Sequence, residues 1–105
     1  MRVVMVRYTV KPDRVAENEQ LVRAVYAELS SSAPEGFRYA TFKLDDGRSF
    51  VHLAAVADGN ENRLGRIEAF AEFQREIADR CETPPVVTPL AEVASYHLLD
   101  VAGGA

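Results

Sequence analysis

The chain contains no tryptophan, a single cysteine and only two histidines among its 105 residues. A lone cysteine, Cys81, cannot form an internal disulfide and is typical of a protein in a reducing compartment. So few sulfur and imidazole ligands, without close spacing, argue against a metal site. The apolar run near the N-terminus is short and interrupted by charge, which argues against a signal peptide or a membrane span. These absences predict a cytoplasmic protein that binds neither a metal nor a membrane.

Positive charge is also scarce, since 12 Lys and Arg residues face 16 Asp and Glu residues and the net charge is −4. A general nucleic-acid-binding protein would need a basic stripe, so nucleic acid is not an expected partner. Hydrophobic residues nevertheless make up 48% of the chain, which is enough for a folded core. The length is that of one domain, and we predict a single domain over residues 1–105 with an ordered core over about 2–100.

The most informative stretch is a predicted β-hairpin over residues 37–56. Two runs rich in aromatic and β-branched residues flank an Asp-Asp-Gly turn at 45–47, where glycine tolerates the positive φ that such turns need. Two registers are open: a two-residue loop pairs Phe42 with Val51, and a three-residue loop with the glycine in a bulge pairs Phe42 with Phe50. We favour the second, because Asp-Asp-Gly is typical of a type I turn followed by a left-handed glycine.

The hairpin lies between two predicted strand–helix segments. A strand over residues 3–10 precedes a helix over about 13–31, whose apolar residues recur at threes and fours. After the hairpin, a second helix is predicted from about Arg63 to Arg80, ended by the proline-rich stretch 84–89, and a last strand follows over about 90–99. The order β-α-β-β-α-β predicts an α+β, ferredoxin-like fold, in which both helices cover one face of a four-stranded antiparallel sheet.

Apolar residues occupy both faces of the predicted sheet. In the first strand, Val4 and Val6 share one face, while Val3 and Met5 share the other. Two helices can cover only one face, and an exposed apolar face is typical of an interface with another protein. A second copy of the chain is the natural cover, so we predict a homodimer whose sheets meet face to face around a two-fold axis.

The chain resembles the antibiotic biosynthesis monooxygenase superfamily, a group of dimeric α+β barrels. The resemblance covers about residues 2–100 and is strongest with small bacterial members. It is carried by the order of elements, by an opening strand that runs into Lys11-Pro12-Asp13, and by the proline-rich approach to the last strand. It implies a dimeric α+β barrel and, by analogy with the oxygenases of the group, a reaction on polycyclic phenols with no cofactor, neither metal nor flavin.

The same resemblance implies which residues could be functional. The oxygenases of the group use Asn and Trp near the start of the second helix, where this chain has Asn60 and Asn62 but no Trp. Phe70 is the nearest aromatic substitute. Haem-degrading members use an Asn on the first strand and a His in the second helix, and this chain has neither, so haem degradation is not expected. Asn62 is therefore a candidate catalytic residue.

His52 is the second catalytic candidate, because an imidazole with an ordinary pKa near 6.5 can act as a base or an acid. The alternative is a structural His that is hydrogen-bonded to Thr41 or to the backbone. Arg7 lies in an apolar strand and could bind a substrate carboxylate or phenolate, or else form a salt bridge or the dimer rim. The predicted pocket lies between the sheet and the helices and is lined by Tyr39, Phe70 and Phe73.

Two functional hypotheses follow. In the first, the chain is a cofactor-independent, monooxygenase-like enzyme that acts on a small aromatic or polyketide-like molecule. In the second, it is a non-catalytic dimeric module that binds a small hydrophobic ligand or has a structural role. The missing Trp favours the second hypothesis, whereas His52 and Arg7 on apolar strands favour the first. A cavity of roughly 300 Å³ or more would support an enzyme.

Overall fold

The elements follow the predicted order of strand, helix, hairpin, helix and strand. The computed structural model describes residues 2–32, 35–57 and 66–98. Within these ranges, no helix is long and apolar enough to cross a membrane. The elements are β1 (Arg2–Val10), a 3-10 turn (Pro12–Arg14), α1 (Val15–Ser32), β2 (Phe37–Lys43), β3 (Ser49–Val56), α2 (Glu68–Arg75), α3 (Ile77–Arg80) and β4 (Cys81–Leu90).

The strands form a four-stranded sheet in the order β2-β3-β1-β4, and neighbouring strands are antiparallel. Strands β3 and β1 are therefore central, while β2 and β4 lie at the edges. This arrangement confirms the α+β, ferredoxin-like prediction.

The core lies on the sheet face that the helices cover. Period-two alternation along β1 and β3 directs Tyr8, Val10 and Phe50 to that face, and the rings of Tyr8 and Phe50 stack at 5.6 Å between centroids. On the helix side, Val22 of α1 and Phe73 of α2 complete the buried cluster. Both helices therefore pack on the same side of the sheet.

The N-terminus of α2 is capped by a side chain from α1. Ile67 occupies the N-cap position and offers no polar side chain. The carboxylate of Glu28 instead accepts hydrogen bonds from the backbone N–H groups of Glu68 and Ala69, at 3.0 and 2.9 Å. These N–H groups would otherwise have no partner within the helix, and negative charge is favourable at a helix N-terminus. The contact fixes the two helices relative to each other.

The favoured hairpin register is wrong, although the turn conformation is as expected. Phe42 pairs with Val51, as in the alternative register, and not with Phe50. Gly47 has φ of 73° and its N–H donates to the carbonyl of Leu44. One more residue than expected enters the loop, because the Asp46 carboxylate accepts hydrogen bonds from the backbone N–H groups of residues 48 and 49 and from the Ser49 hydroxyl. These bonds lower the pKa of Asp46 to about 2.

The second helix is shorter and less regular than predicted. It begins at Glu68 and is interrupted at Glu76, where φ is −126° and ψ is 26°, before the short helix α3. The predicted start near Arg63 lies outside the described residues. The apolar periodicity from residue 67 to 77 continues across the interruption, which is why the sequence pattern does not reveal it.

The prediction of the last strand over residues 90–99 is wrong. The strand is β4, which begins at Cys81 and contains Pro84, Pro85 and Pro89 rather than following them. Proline lacks the N–H group that a central strand needs, but an edge strand leaves one row of backbone groups unpaired. Because β4 lies at the edge of the sheet, its prolines are compatible with pairing to β1, with register irregularities along the pair.

Candidate functional site

His52 lies at the centre of a buried polar cluster on the helix-covered face of the sheet. Its side chain is 4% exposed. The Nε2 atom lies 2.7 Å from the Tyr8 hydroxyl. The Nδ1 atom lies 2.6 Å from the Tyr39 hydroxyl and 3.2 Å from the Thr41 hydroxyl. The hydrogen bond to Thr41 that the structural alternative for His52 predicts is present, and two tyrosines join it.

Strand register explains why these side chains meet. Thr41 of β2 lies directly opposite His52 of β3, and Tyr39 lies two residues away on the same face. On the other side of His52, β1 places Val6 directly opposite and Tyr8 two residues further along. Side chains two residues apart share a face of the sheet. The neighbouring strands therefore deliver a hydroxyl to each nitrogen of the ring.

The cluster continues from Tyr8 into the helices. Asn18 of α1 donates from Nδ2 to the Tyr8 hydroxyl at 3.0 Å. Arg80 at the end of α3 donates from Nε to Asn18 Oδ1 at 3.2 Å and from a terminal nitrogen to the Phe73 carbonyl at 2.7 Å. Asn18 and Arg80 are 0% and 1% exposed. The guanidinium carbon also lies 5.2 Å from the centre of the Phe73 ring, within the range of a cation–π contact.

At its other end, the cluster reaches the protein surface. The Tyr26 hydroxyl lies 2.9 Å from Thr41 Oγ1, and its ring stacks on Tyr39 at 5.4 Å between centroids. Tyr26 and Thr41 line a cleft of about 250 Å³ between α1 and the hairpin, beside Glu19 and Lys43. The hydrogen bonds therefore connect a buried cation to this cleft through His52.

Burial sets the protonation states in the cluster. It lowers the pKa of His52 to about 4, so the imidazole is neutral at pH 7. Burial also raises the pKa values of Tyr8 and Tyr39, so both phenols keep their protons. At neutral pH, the charge at this site is that of Arg80.

Four of the six predicted site residues lie together. His52 and Tyr39 are hydrogen-bonded, the Phe73 ring lies 5.5 Å from the imidazole, and Phe70 stacks on Phe73 at 6.1 Å. Arg7 is not part of this group: it is exposed, and strand alternation places it on the opposite face from its neighbour Tyr8. Asn62 lies outside the described residues.

Two central members of the cluster, Asn18 and Arg80, are absent from the sequence prediction. Both are polar residues at apolar positions of a helical pattern: Asn18 lies three residues after Val15 and four before Val22, and Arg80 lies seven residues after Phe73. A polar side chain within an apolar stripe must find a partner in the core. That departure from the pattern is the signal that could have identified them.

An apolar groove lies on the other face of the sheet. This groove has a volume of about 320 Å³, and its lining includes Val3, Leu53 and Ala55, together with part of the exposed segment 91–98. Arg38 also lines it, and one terminal guanidinium nitrogen of Arg38 is buried without a hydrogen-bond partner. Its position differs from that of the predicted pocket between the sheet and the helices. Among the described residues, no group of His, Cys, Asp and Glu could hold a metal ion.

Comparisons with known proteins give no match to a family model and no match among curated proteins. Solved structures do match. Rv0793 from Mycobacterium tuberculosis superimposes with a TM-score of 0.73 at 19% identity, over 90% of this chain and 96% of that one. A crystal structure named antibiotic biosynthesis monooxygenase gives 0.72 at 17% identity, over 90% of this chain and 100% of that one.

An asparagine-to-alanine mutant of SnoaB, a cofactor-independent oxygenase from Streptomyces nogalater, gives a TM-score of 0.66 at 19% identity, over 94% of this chain and 98% of that one. Likeness at these identities establishes the fold. The resemblance detected in the sequence is thus confirmed in three dimensions: the chain has the fold of the antibiotic biosynthesis monooxygenases.

Proposed function

We propose that the chain is a cofactor-independent monooxygenase that acts on a small aromatic or polyketide-like molecule. The observation that carries the proposal is the neutral imidazole of His52, buried between hydroxyl groups on the helix-covered face of the sheet. A titratable group with a strongly shifted pKa in a hydrogen-bonded cluster is typical of a site that handles protons. The shared fold with a cofactor-independent oxygenase supports the same conclusion.

The proposed reaction uses the substrate itself as the reductant. A methylene carbon between phenolic rings is oxidised to a carbonyl by O₂: one oxygen atom enters the carbonyl and the other leaves as water with both methylene hydrogens. The substrate reacts as its electron-rich anion, so the protein must favour the deprotonated form. A hydrogen-bond donor aimed at the anionic oxygen, in a site that excludes water, achieves this.

In this proposal the hydrogen-bonded pair of His52 and Tyr39 stabilises the anionic substrate oxygen. Phe70 and Phe73 provide aromatic surface beside that pair. His52 contacts Phe73 and Tyr39 directly, so a planar substrate near these rings would lie within reach of the hydrogen-bonded cluster. Asn62 stays a candidate through the family resemblance.

Oxygen uptake with a hydroxyanthrone as the substrate tests the proposal. The variant His52→Gln keeps polarity but loses the imidazole, and we expect the rate to fall by about 10²-fold or more. Arg75→Gln, an exposed change on α2, is the matched control and should leave the rate unchanged. Full turnover by a folded His52→Gln protein, or no oxygen uptake by the wild type on any phenolic substrate tried, would count against an oxygenase.

A second candidate function is a non-catalytic module that binds a small ligand. The observation that favours it is that both nitrogens of His52 already have partners within the protein. A cluster whose central imidazole is already hydrogen-bonded on both sides can serve to specify the core. Saturable binding of an aromatic probe without oxygen uptake would support this function over the first.

We also propose that the chain forms a homodimer through the sheet face opposite the helices. Phe42 is 49% exposed and Val86 59% exposed, and both lie, with the apolar groove, on this face. A second copy would bury these groups and could supply an acceptor for Arg38. If each partner buries about 800 Å², the gross hydrophobic gain is about 20–40 kcal/mol, against an association cost of about 4–15 kcal/mol. Sedimentation equilibrium at micromolar concentration should show a dimer, and a monomer of 11.6 kDa would contradict it.

A further inference from the structure

The hydrogen bonds between Arg80 and Tyr39 have a fixed direction. A guanidinium only donates, so the Asn18 atom that lies 3.2 Å from Arg80 Nε is its carbonyl oxygen. The amide nitrogen of Asn18 therefore faces Tyr8 and donates to the hydroxyl at 3.0 Å. The orientation of the Asn18 amide follows from the chemistry of Arg80.

The Tyr8 hydroxyl must donate its own hydrogen bond to another acceptor. Its hydroxyl already accepts the hydrogen bond from Asn18, and the residue is 1% exposed, so solvent does not reach it. Among the described residues, the acceptor in reach is Nε2 of His52, at 2.7 Å. A buried hydroxyl proton without an acceptor is strongly unfavourable. Tyr8 therefore donates to Nε2, and this nitrogen carries no proton.

A neutral imidazole carries one proton, which must then be on Nδ1. Nδ1 donates to the Tyr39 hydroxyl at 2.6 Å, with Thr41 Oγ1 at 3.2 Å as a second contact. Tyr39 accepts this bond, and its own proton has no acceptor among residues 2–32, 35–57 and 66–98. Tyr39 is half-buried, so this unused proton belongs to a residue that solvent partly reaches. In the opposite arrangement, the unused proton would be that of the fully buried Tyr8.

We propose that Arg80, Asn18 and Tyr8 are positioning residues that hold His52 as the Nδ1–H tautomer and thereby present the Tyr39 hydroxyl as a donor to a ligand oxyanion. The chemical class of ligand is an aryloxide or enolate. The ligand assignment rests on the proposed oxygenase function, whereas the tautomer assignment does not. Each bond of the chain is polarised in the same sense by the buried cation, which strengthens the last donor. Since burial raises the pKa of Tyr39, the phenol stays protonated and able to donate.

The proposal separates two roles for His52. A general base would need its unprotonated nitrogen to face the substrate. Here the unprotonated Nε2 faces Tyr8 in the core, and the protonated Nδ1 faces Tyr39. His52 therefore donates to Tyr39, whose hydroxyl in turn donates to the substrate oxygen. It does not remove a proton from the substrate.

Long-range proton–nitrogen NMR correlation on the ¹⁵N-histidine-labelled full chain tests the tautomer. His97→Gln identifies the signals of the other histidine. We expect the wild-type His52 to show the Nδ1–H pattern at neutral pH. An Nε2–H pattern or an imidazolium overturns the proposal, and this wild-type measurement decides the tautomer whether or not any variant folds.

The variant Asn18→Asp then tests whether Asn18 and Arg80 set the donor-to-acceptor direction of the hydrogen-bond chain. An aspartate at this position accepts from both Arg80 and Tyr8, so the Tyr8 oxygen becomes an acceptor and the proton of His52 should move to Nε2. Tyr26→Phe, which changes the cluster beyond Thr41, is the control and should keep the Nδ1–H pattern. A folded Asn18→Asp protein that keeps the wild-type tautomer overturns the positioning role.

Binding of p-nitrophenolate tests the ligand assignment, because its absorbance reports its ionisation. The wild type should bind the phenolate and lower the pKa of the bound phenol, and Tyr39→Phe should weaken phenolate binding by about 10- to 100-fold. No binding, or equal affinity of the variant, overturns the ligand assignment. If both tests succeed and no phenolic substrate consumes oxygen, the oxygenase proposal fails while the donor chain stands.

Discussion

The pH dependence of stability measures how firmly the fold keeps His52 neutral. Burial lowers the pKa of His52 to about 4, whereas an exposed histidine in the unfolded chain titrates near 6.5. Between these pH values, the unfolded state binds a proton that the native state does not. The free energy of unfolding therefore falls as the pH decreases through this window, and the contribution is fully present above about pH 6.5. The complete shift corresponds to about 3 kcal/mol.

Urea unfolding of the wild type and of His52→Gln, at about pH 7.5 and about pH 5 and at one protein concentration, isolates this contribution. We expect the wild type to lose about 2 kcal/mol more than the variant between the two pH values. Carboxylates such as Asp46, whose hydrogen bonds with Ser49 and the Arg48 N–H lower its pKa, contribute equally to both proteins and cancel. Tyr26→Phe keeps the imidazole and should retain the wild-type pH dependence.

Equal losses in the wild type and in His52→Gln would refute the reasoning. They would mean that His52 is not held neutral in the native state. The argument for a single N–H on the ring, and with it the direction of the hydrogen-bond chain, would then also fail.

Three further changes test the packing, the helix cap and the turn. Phe73→Ala should lower the free energy of unfolding in urea by about 3–5 kcal/mol, because the ring is 4% exposed and contacts Tyr8 and His52. Phe70→Ala removes a half-buried ring and should cost less. Glu28→Ala should cost about 0.5–2 kcal/mol by removing the cap of α2, and an unchanged stability would contradict the cap. Gly47→Ala should cost about 1–2 kcal/mol from the left-handed backbone alone, since nothing lies within 4 Å of the added methyl group; a stabilised variant would contradict the positive φ.

The central strands of this fold contribute polar side chains to a buried hydrogen-bond network as well as apolar side chains to the core. Tyr8 and His52 occupy positions where Val or Ile would give a simpler core. A buried polar network is costly unless every member is satisfied, and a satisfied network holds its side chains in one arrangement. Because Arg80 and Asn18 come from different helices, the same bonds also join both helical segments to the sheet.

Local patterns in the sequence were sufficient for the order of elements and the fold class. Runs of aromatic and β-branched residues identified the hairpin strands, and apolar residues recurring at threes and fours identified α1. Asp-Asp-Gly identified the turn and its left-handed glycine. These signals are local, because each depends on residues within a few positions. They were also enough to recognise the fold, whereas the hairpin register, and with it the sheet face that His52 occupies, stayed open.

Features that depend on distant residues were decided by the tertiary structure alone. The hairpin register followed the hydrogen bonds of Asp46, and the prolines of β4 were tolerated because the topology placed that strand at an edge. The direction of the hydrogen-bond chain required Arg80 to meet Asn18, 62 residues earlier in the sequence. No local pattern encodes such a contact, because a buried donor selects its acceptor only after the helices have packed against the sheet.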